Sequence, residues 1–289
     1  MQKRIIALAI AGLASGVAVA QTNVTIYGIV DAGYVYSSGS AGSGMGTNTF
    51  SGIASGIAAG PRLGFKGEEA LGNGLKAVFT LEYALNIDGN YGLGASGGLN
   101  ARQQFVGLSS DKVGTVALGR QYSPGFNASA RNDALDATDM AIQSSLSFLS
   151  GSTITPNSPA RFNNSITYTS ASYSGFTASA IYGFGESSSG GYNQASTSDN
   201  GQFGIGGNYA NGPLNLDLLY QTRQKVQPST YYGITGNGKD VNEWYVGGNY
   251  DFKVVKAFAS YQALNNKNAM TTGDVNDTNL WTLGVSAPV

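Results

Sequence analysis

The chain has 289 residues, 42 of them glycine and only 11% charged, with 17 tyrosines and neither cysteine nor histidine. Glycine at about twice its ordinary usage argues against a helical fold; the missing thiols exclude disulfides, and the missing histidines exclude Ser-His-Asp chemistry and ordinary zinc sites. A formal net charge of −1 offers no basic face to nucleic acid.

Residues 1–20 read as an export leader: Lys3 and Arg4, an apolar run over 5–17, then Ala18-Val19-Ala20 as a small-x-small cleavage pattern before Gln21. Cleavage after Ala20 takes two of the 16 basic residues and leaves 14 against 17 acidic ones, a mature net charge of −3. No later segment approaches the roughly 20 apolar residues of a membrane helix, so any bilayer span has to be built from strands closed on one another.

Period-two alternation predicts a first strand over 24–36, followed by a Gly- and Ser-rich loop over 37–60. Strands over 62–68 and 75–87 flank a turn over 69–74. In the second of them Leu75, Phe79, Leu81 and Tyr83 alternate with Lys76, Thr80, Glu82 and Asn86. A loop over 88–100 leads to strands over 102–109 and 113–122, joined by a tight turn at Asp111-Lys112. The longest gap, 123–160, comes next. Three further pairs follow, over 161–170 and 176–186, 202–210 and 214–224, and 241–250 and 254–265, with a last strand from 279. That makes twelve strands.

Every second connection is about two to six residues long, and the others run from about thirteen to forty. A soluble sandwich or adhesin-like domain alternates apolar and polar faces too, but has no reason to alternate its connections so strictly. An outer-membrane barrel has one, since short turns lie at its periplasmic end and extended loops at the other. The faces agree: Leu214, Leu216, Leu218 and Tyr220 oppose Asn215, Asp217, Gln221 and Arg223. The aromatics Tyr27, Tyr34, Tyr83, Tyr122, Tyr168, Tyr182, Tyr220, Trp244 and Trp281 are candidates for interfacial girdles.

Asn23-Val-Thr-Ile-Tyr-Gly-Ile-Val-Asp-Ala-Gly33, Pro61-Arg-Leu-Gly-Phe-Lys-Gly-Glu-Glu69, Gly74-Leu-Lys-Ala-Val-Phe-Thr-Leu-Glu82, Phe105-Val-Gly-Leu-Ser-Ser110, Gly119-Arg-Gln-Tyr122 and Tyr250-Asp-Phe252, in this order and spacing, resemble the general diffusion porins of Gram-negative bacteria, especially the beta-proteobacterial type. The resemblance covers essentially the whole of 21–289. It implies an all-β, sixteen-stranded, transmembrane antiparallel barrel in the outer membrane, in contact with lipid and lipopolysaccharide and assembled as a homotrimer. By the same order, 123–160 is the loop that folds inward and constricts the pore. Family members close with a terminal aromatic strand, whereas twelve strands here end at Ala287-Pro288-Val289. Either the sequence is truncated or it closes as a twelve-stranded barrel; truncation is the expectation, because a loop of about forty residues would plug the narrower lumen.

Selection in such a channel needs opposed charges across a narrow aqueous gap. Arg62 and Lys66 share one strand face, and Arg102 and Arg161 open the strands after the second and third long loops; these four match the family's basic wall. Arg120 lies in a matching segment but shares parity with Val116 and Leu118. Lys76 and Glu82 face the lumen by parity. Within the long loop Asp133, Asp136 and Asp139 recur at near-helical spacing, which sets carboxylates on one side of a turn. They either face the arginines, as the resemblance implies, or cap the turn and meet solvent, just as the arginines have salt bridges within the wall as their alternative.

Motifs with an enzymatic look do not hold. Gly92-Leu-Gly-Ala-Ser-Gly97 fits GxGxxG without a following helix or acidic partner, and Ser109-Ser-Asp-Lys112 fits SxxK at a strand end. Glu68 and Glu69 point to opposite faces of an extended strand and form no acid–base pair. The expected function is passive diffusion of small hydrophilic solutes and ions, with no cofactor, metal or catalysis. A solute-specific channel and a surface adhesin are the alternatives, and conductance in a planar bilayer separates the channels from the adhesin.

Overall fold

The computed structural model describes residues 23–40, 47–89, 100–136, 160–185, 200–226, 230–231, 234–235, 238–266 and 277–288. The leader and residue 139 fall outside these, as does most of the long loop beyond 136.

The first half of the chain contributes β1 (Asn23–Ile29), β2 (Ala32–Ser40), β3 (Thr47–Ser55), β4 (Arg62–Gly72), β5 (Leu75–Ala84), β6 (Ala101–Ser110), β7 (Gly114–Tyr122) and a helix, α1 (Pro124–Arg131). The second half contributes β8 (Arg161–Ser170), β9 (Phe176–Gly183), β10 (Gln202–Asn211), β11 (Leu214–Val226), β12 (Thr230–Tyr231), β13 (Ile234–Thr235), β14 (Lys239–Asp251), β15 (Lys256–Asn266) and β16 (Thr278–Ser286). Twelve of these strands form one antiparallel sheet in the order β1-β4-β5-β6-β7-β8-β9-β10-β11-β14-β15-β16. Set aside the β2–β3 and β12–β13 hairpins, and each strand pairs with its neighbour in sequence, an up-and-down meander of the expected strand number. Among the described residues, β1 and β16 are the two edges of the sheet.

Polarity is inverted relative to a water-soluble fold. Glu82, Gln121, Ser165, Asp217, Gln221, Glu243, Asn249 and Gln262 are buried, while Leu218, Leu283, Val285 and Trp281 are between 61% and 76% exposed. Along β16, Trp281, Leu283 and Val285 form one row and Leu280, Thr282 and Gly284 the other. A sheet that turns its apolar row outward and its polar row inward is stable only where hydrocarbon surrounds it.

The short connections carry the turn chemistry that strand twist requires. Between β4 and β5, Asn73 and Gly74 both have positive φ, 51° and 76°, the type I′ geometry whose twist matches the flanking strands.

The first strand differs from its predicted extent. The ladder to β4 stops at Ile29↔Arg62, and Ala32–Ser40, which takes in the end of the predicted strand, pairs instead with Thr47–Ser55 from the region expected to be a plain loop, in a separate hairpin. Asp31 causes the break. Its Oδ2 accepts from the Ala58 and Ala59 amides at 2.6 and 2.5 Å and its carbonyl accepts from Gly56, so the chain is tied at the hairpin's base and cannot continue along β4.

Candidate functional site

On the inner face, at the end of the sheet where the long connections begin, four strands bring charge together around two tyrosines. Glu82, 3% exposed near the end of β5, accepts from Arg102 Nε at 2.8 Å through Oε1 and from the Tyr27 hydroxyl at 2.9 Å through Oε2. Arg102 Nη2 donates to the Tyr122 hydroxyl at 2.9 Å, and Arg161 Nη2 reaches the same oxygen at 3.3 Å. Arg62 turns its Nε to the Gly60 carbonyl at 2.9 Å. Lys66 lies one turn of the pleat below, its Nζ 5.5 Å from the centroid of the Tyr27 ring.

Strict alternation does not produce this cluster. On β6 the inner row is Gln103, Phe105, Gly107 and Ser109, opposite Glu82, Thr80, Val78 and Lys76, which by parity alone turns Arg102 outward. A register shift between Glu82 and Tyr83 makes Arg102 the extra residue of a bulge, and the bulge re-aims its side chain onto the carboxylate. A second shift, between Gly119 and Gln121 on β7, brings Gln121 opposite Phe162 and Tyr122 opposite Arg161.

From Tyr122 the chain enters α1. Ser123 is its N-cap, with Oγ accepting from Phe126 N at 3.0 Å, and Pro124 occupies the first turn, where its missing N–H costs nothing. The helix packs on the inner face of β9, β10, β11 and β14, burying Ala128 against Leu219 and Tyr245.

Its C-terminal end is clamped by polar side chains. Asp217, 4% exposed, accepts from Arg131 Nη2 at 2.5 Å, Asn132 Nδ2 at 2.8 Å, and Asn208 and Asn215 Nδ2 at 3.0 Å each. Asn132 Oδ1 in turn accepts from Asn215 and Asn249 at 3.1 and 3.0 Å. Every hydrogen-bonding atom of the Asn132 side chain faces a partner, so its complete burial carries no unpaired polar group. A second buried pair, Arg223 and Glu243 at 3.7 Å, lies further along β11 and β14, with Gln221 Nε2 donating to Glu243 at 3.1 Å.

Of the residues singled out in the sequence, Arg62, Arg102 and Arg161 gather at one level of the inner face, with Lys66 just below. Glu82 sits at their centre. Lys76 is bonded to Glu68 at 3.2 Å near the short turn, away from the cluster. Arg120 pairs in register with Gln104, on the row of the exposed Val106 and Leu108; its Nε donates to the Ala101 carbonyl at 3.2 Å and its guanidinium bonds Asn163. Asp133 and Asp136 follow α1 in a turn that Asp133 caps through Leu135 N at 3.1 Å. Ala134 between them lies against Gly284 of β16, where an added Cβ would come within 3.0 Å of it. Asp139 lies outside the described residues.

Two expected girdle residues face inward instead. Tyr27 and Tyr122 spend their hydroxyls on Glu82 and the arginines, while Trp244 and Trp281 remain on the outer face at 57% and 68% exposure. The sequence reading also missed α1 and its clamp. Ser123-Pro124 is a cap-and-first-turn signature that marks the helix, but the convergence of Asn208, Asn215, Asp217 and Asn249 needs the strand register.

A family model described as Gram-negative porin matches residues 7–289. The outer membrane porin protein 32 of Delftia acidovorans is 36% identical, the match spanning 100% of this chain and 76% of that protein. An outer membrane porin protein of Bordetella pertussis is 30% identical over 90% of this chain and 69% of its own length. Among solved structures, the anion-selective porin from Comamonas acidovorans superposes with a TM-score of 0.72 at 30% identity, covering 93% of this chain and 75% of that one. Salmonella typhi OmpF, at 18% identity and a TM-score of 0.59, shares the fold.

Proposed function

Because the chain belongs to the family of Gram-negative porins, we propose that the cluster around Glu82 and Tyr122 is its selectivity level and that it favours small anions over cations. The protein is an outer-membrane porin, a water-filled channel for passive diffusion of small hydrophilic solutes and ions. Family and fold point to a channel rather than an enzyme.

The observation that carries the anion preference is the charge balance of the cluster. At this level, among the described residues, Arg62, Arg102, Arg161 and Lys66 surround the buried carboxylate of Glu82, which is engaged by Arg102 and Tyr27. The three remaining cations act through a lumen bordered by low-dielectric walls, which focuses their field on passing ions. A name of the same sense is carried by the Comamonas acidovorans relative. The inward segment that begins at Ser123, led by α1 and carrying Asp133 and Asp136, forms the opposite border of the gap in this reading.

The experiment is a reversal potential across a planar bilayer under a tenfold KCl gradient. A chloride-favouring potential that collapses in an Arg62→Ala/Arg161→Ala variant supports the reading; a cation-favouring potential defeats it. The homotrimer that the family suggests is tested by the heat-sensitive mobility of the unboiled protein, and the cleavage after Ala20 by a mature mass that begins at Gln21.

A further inference from the structure

We infer that Tyr122 is the positioning residue that couples the inward loop to the charge of the basic wall, fixing the separation and direction of Arg102 and Arg161. The inference rests on the selectivity level proposed above.

Tyr122 touches three of the charged groups of that level. Its hydroxyl accepts from Arg102 Nη2 at 2.9 Å and Arg161 Nη2 at 3.3 Å, and donates toward Glu82 Oε1 at 3.4 Å. A phenol suits this place because one oxygen accepts from two guanidiniums while donating to a carboxylate. Two like charges that would otherwise spread apart are held to one acceptor.

The ring does the second half of the work. It stacks on Phe126 at a centroid separation of 4.2 Å and an interplanar angle of 7°. The Arg161 guanidinium carbon lies 4.8 Å from the Tyr122 centroid and 5.9 Å from that of Phe126, within reach of the negative ring faces. Arg161 Nε is buried and has no hydrogen-bond partner among the described residues. The direction of its guanidinium therefore depends on the stack and the one bond to Tyr122.

Phe126 belongs to the first turn of α1, and its amide is the one that Ser123 caps. Loop entry, aromatic stack and Arg161 consequently form a single mechanical unit. A movement of α1 that unstacks Phe126 releases Arg161 and changes the field in the gap, so loop position and ion preference change together.

The test compares Tyr122→Phe, Phe126→Leu and the Arg102→Ala/Arg161→Ala double variant of the full chain, each read for reversal potential and single-channel conductance. Removing the hydroxyl is expected to lower the chloride-to-potassium permeability ratio roughly threefold, less than the loss of a charge-assisted hydrogen bond would give without screening. Phe126→Leu shifts the ratio in the same direction, and Phe126→Tyr, which keeps the stack, restores it. A merely structural role would lower heat resistance and leave the ratio of the channels that do insert unchanged. If both single variants keep the original ratio while the double variant loses it, the wall reading stands and the coupling is overturned. If the double variant also keeps it, the wall reading falls, and the coupling with it. Should Tyr122→Phe fail to insert, the Phe126 pair decides by the same criterion.

Discussion

Arg131 Nη2 donates to Asp217 Oδ1 at 2.5 Å, a bond between residues 86 apart in the chain that fastens the end of α1 to β11. Asp217 is acceptor-only and serves four donor side chains, which its neutral isostere cannot do. Asp217→Asn places an amide among amides, leaves Arg131 without its countercharge and is expected to weaken the attachment of α1 by about 2 kcal/mol. The β10–β11 and β11–β14 ladders are paired through their backbones rather than through this side chain. The expected outcome is therefore an inserted channel with enlarged current fluctuations and closure at lower voltage, measured as single-channel records against the parent; quiet, parent-like records would contradict the clamp.

How much of this was legible beforehand depends on which physical rule governed each part. Period two and the alternation of short and long connections gave twelve strands, because side-chain alternation and lipid exposure act on every residue of a barrel strand. Arg62 and Glu82 faced inward by the same parity. Arg102 was found by family likeness rather than parity, since a bulge, which no single-strand pattern reveals, sets its direction. The clamp stayed hidden for a related reason: Asn208, Asn215, Asp217 and Asn249 look like ordinary lumen residues until the register of three strands brings them under Asn132.

Glu82 holds Arg102 and at the same time subtracts one charge from the wall. Glu82→Gln keeps the shape and makes the cluster more positive by one unit, so the chloride preference is expected to rise. The reversal potential under a KCl gradient reads this directly. Arg102 loses its ion pair in the same variant, which is expected to lower stability by about 1–2 kcal/mol after allowance for water in the lumen. A potential that moves toward potassium would mean that Glu82 does not face the permeation path.

The outer and inner rows should respond oppositely to the same new charge. Leu218, 61% exposed on the apolar row of β11, faces hydrocarbon, and Leu218→Arg is expected to cost about 2–4 kcal/mol. Thr80 shares the inner row of β5 with Lys76 and Glu82 and borders a recess with Thr25, Lys66, Ser109 and Thr115. Thr80→Arg meets water there and is expected to leave insertion intact while lowering conductance. Folding into lipid vesicles, followed by the mobility of the unboiled protein, measures the first; bilayer conductance measures the second.

Gly119 and Gly74 both have positive φ, 136° and 76°, yet they should tolerate a side chain very differently. Nothing lies within 4 Å of a Cβ built on Gly74, in the exposed β4–β5 turn. Gly74→Asn therefore meets only the left-handed backbone preference that asparagine accepts, and is expected to change stability by less than about 1 kcal/mol. A Cβ on Gly119 would run into the Gln104 carbonyl of the neighbouring strand, a backbone atom that cannot rotate away. That glycine also begins the register shift on β7 that sets Gln121 and Tyr122 in place. Gly119→Ala is expected to cost about 3 kcal/mol through strain and a parted ladder, and to disturb the charged cluster even in molecules that fold. Urea unfolding from lipid vesicles compares the two variants: a Gly119→Ala midpoint equal to that of Gly74→Asn would mean that β7 can keep its shifted register against β8 without the close approach to β6.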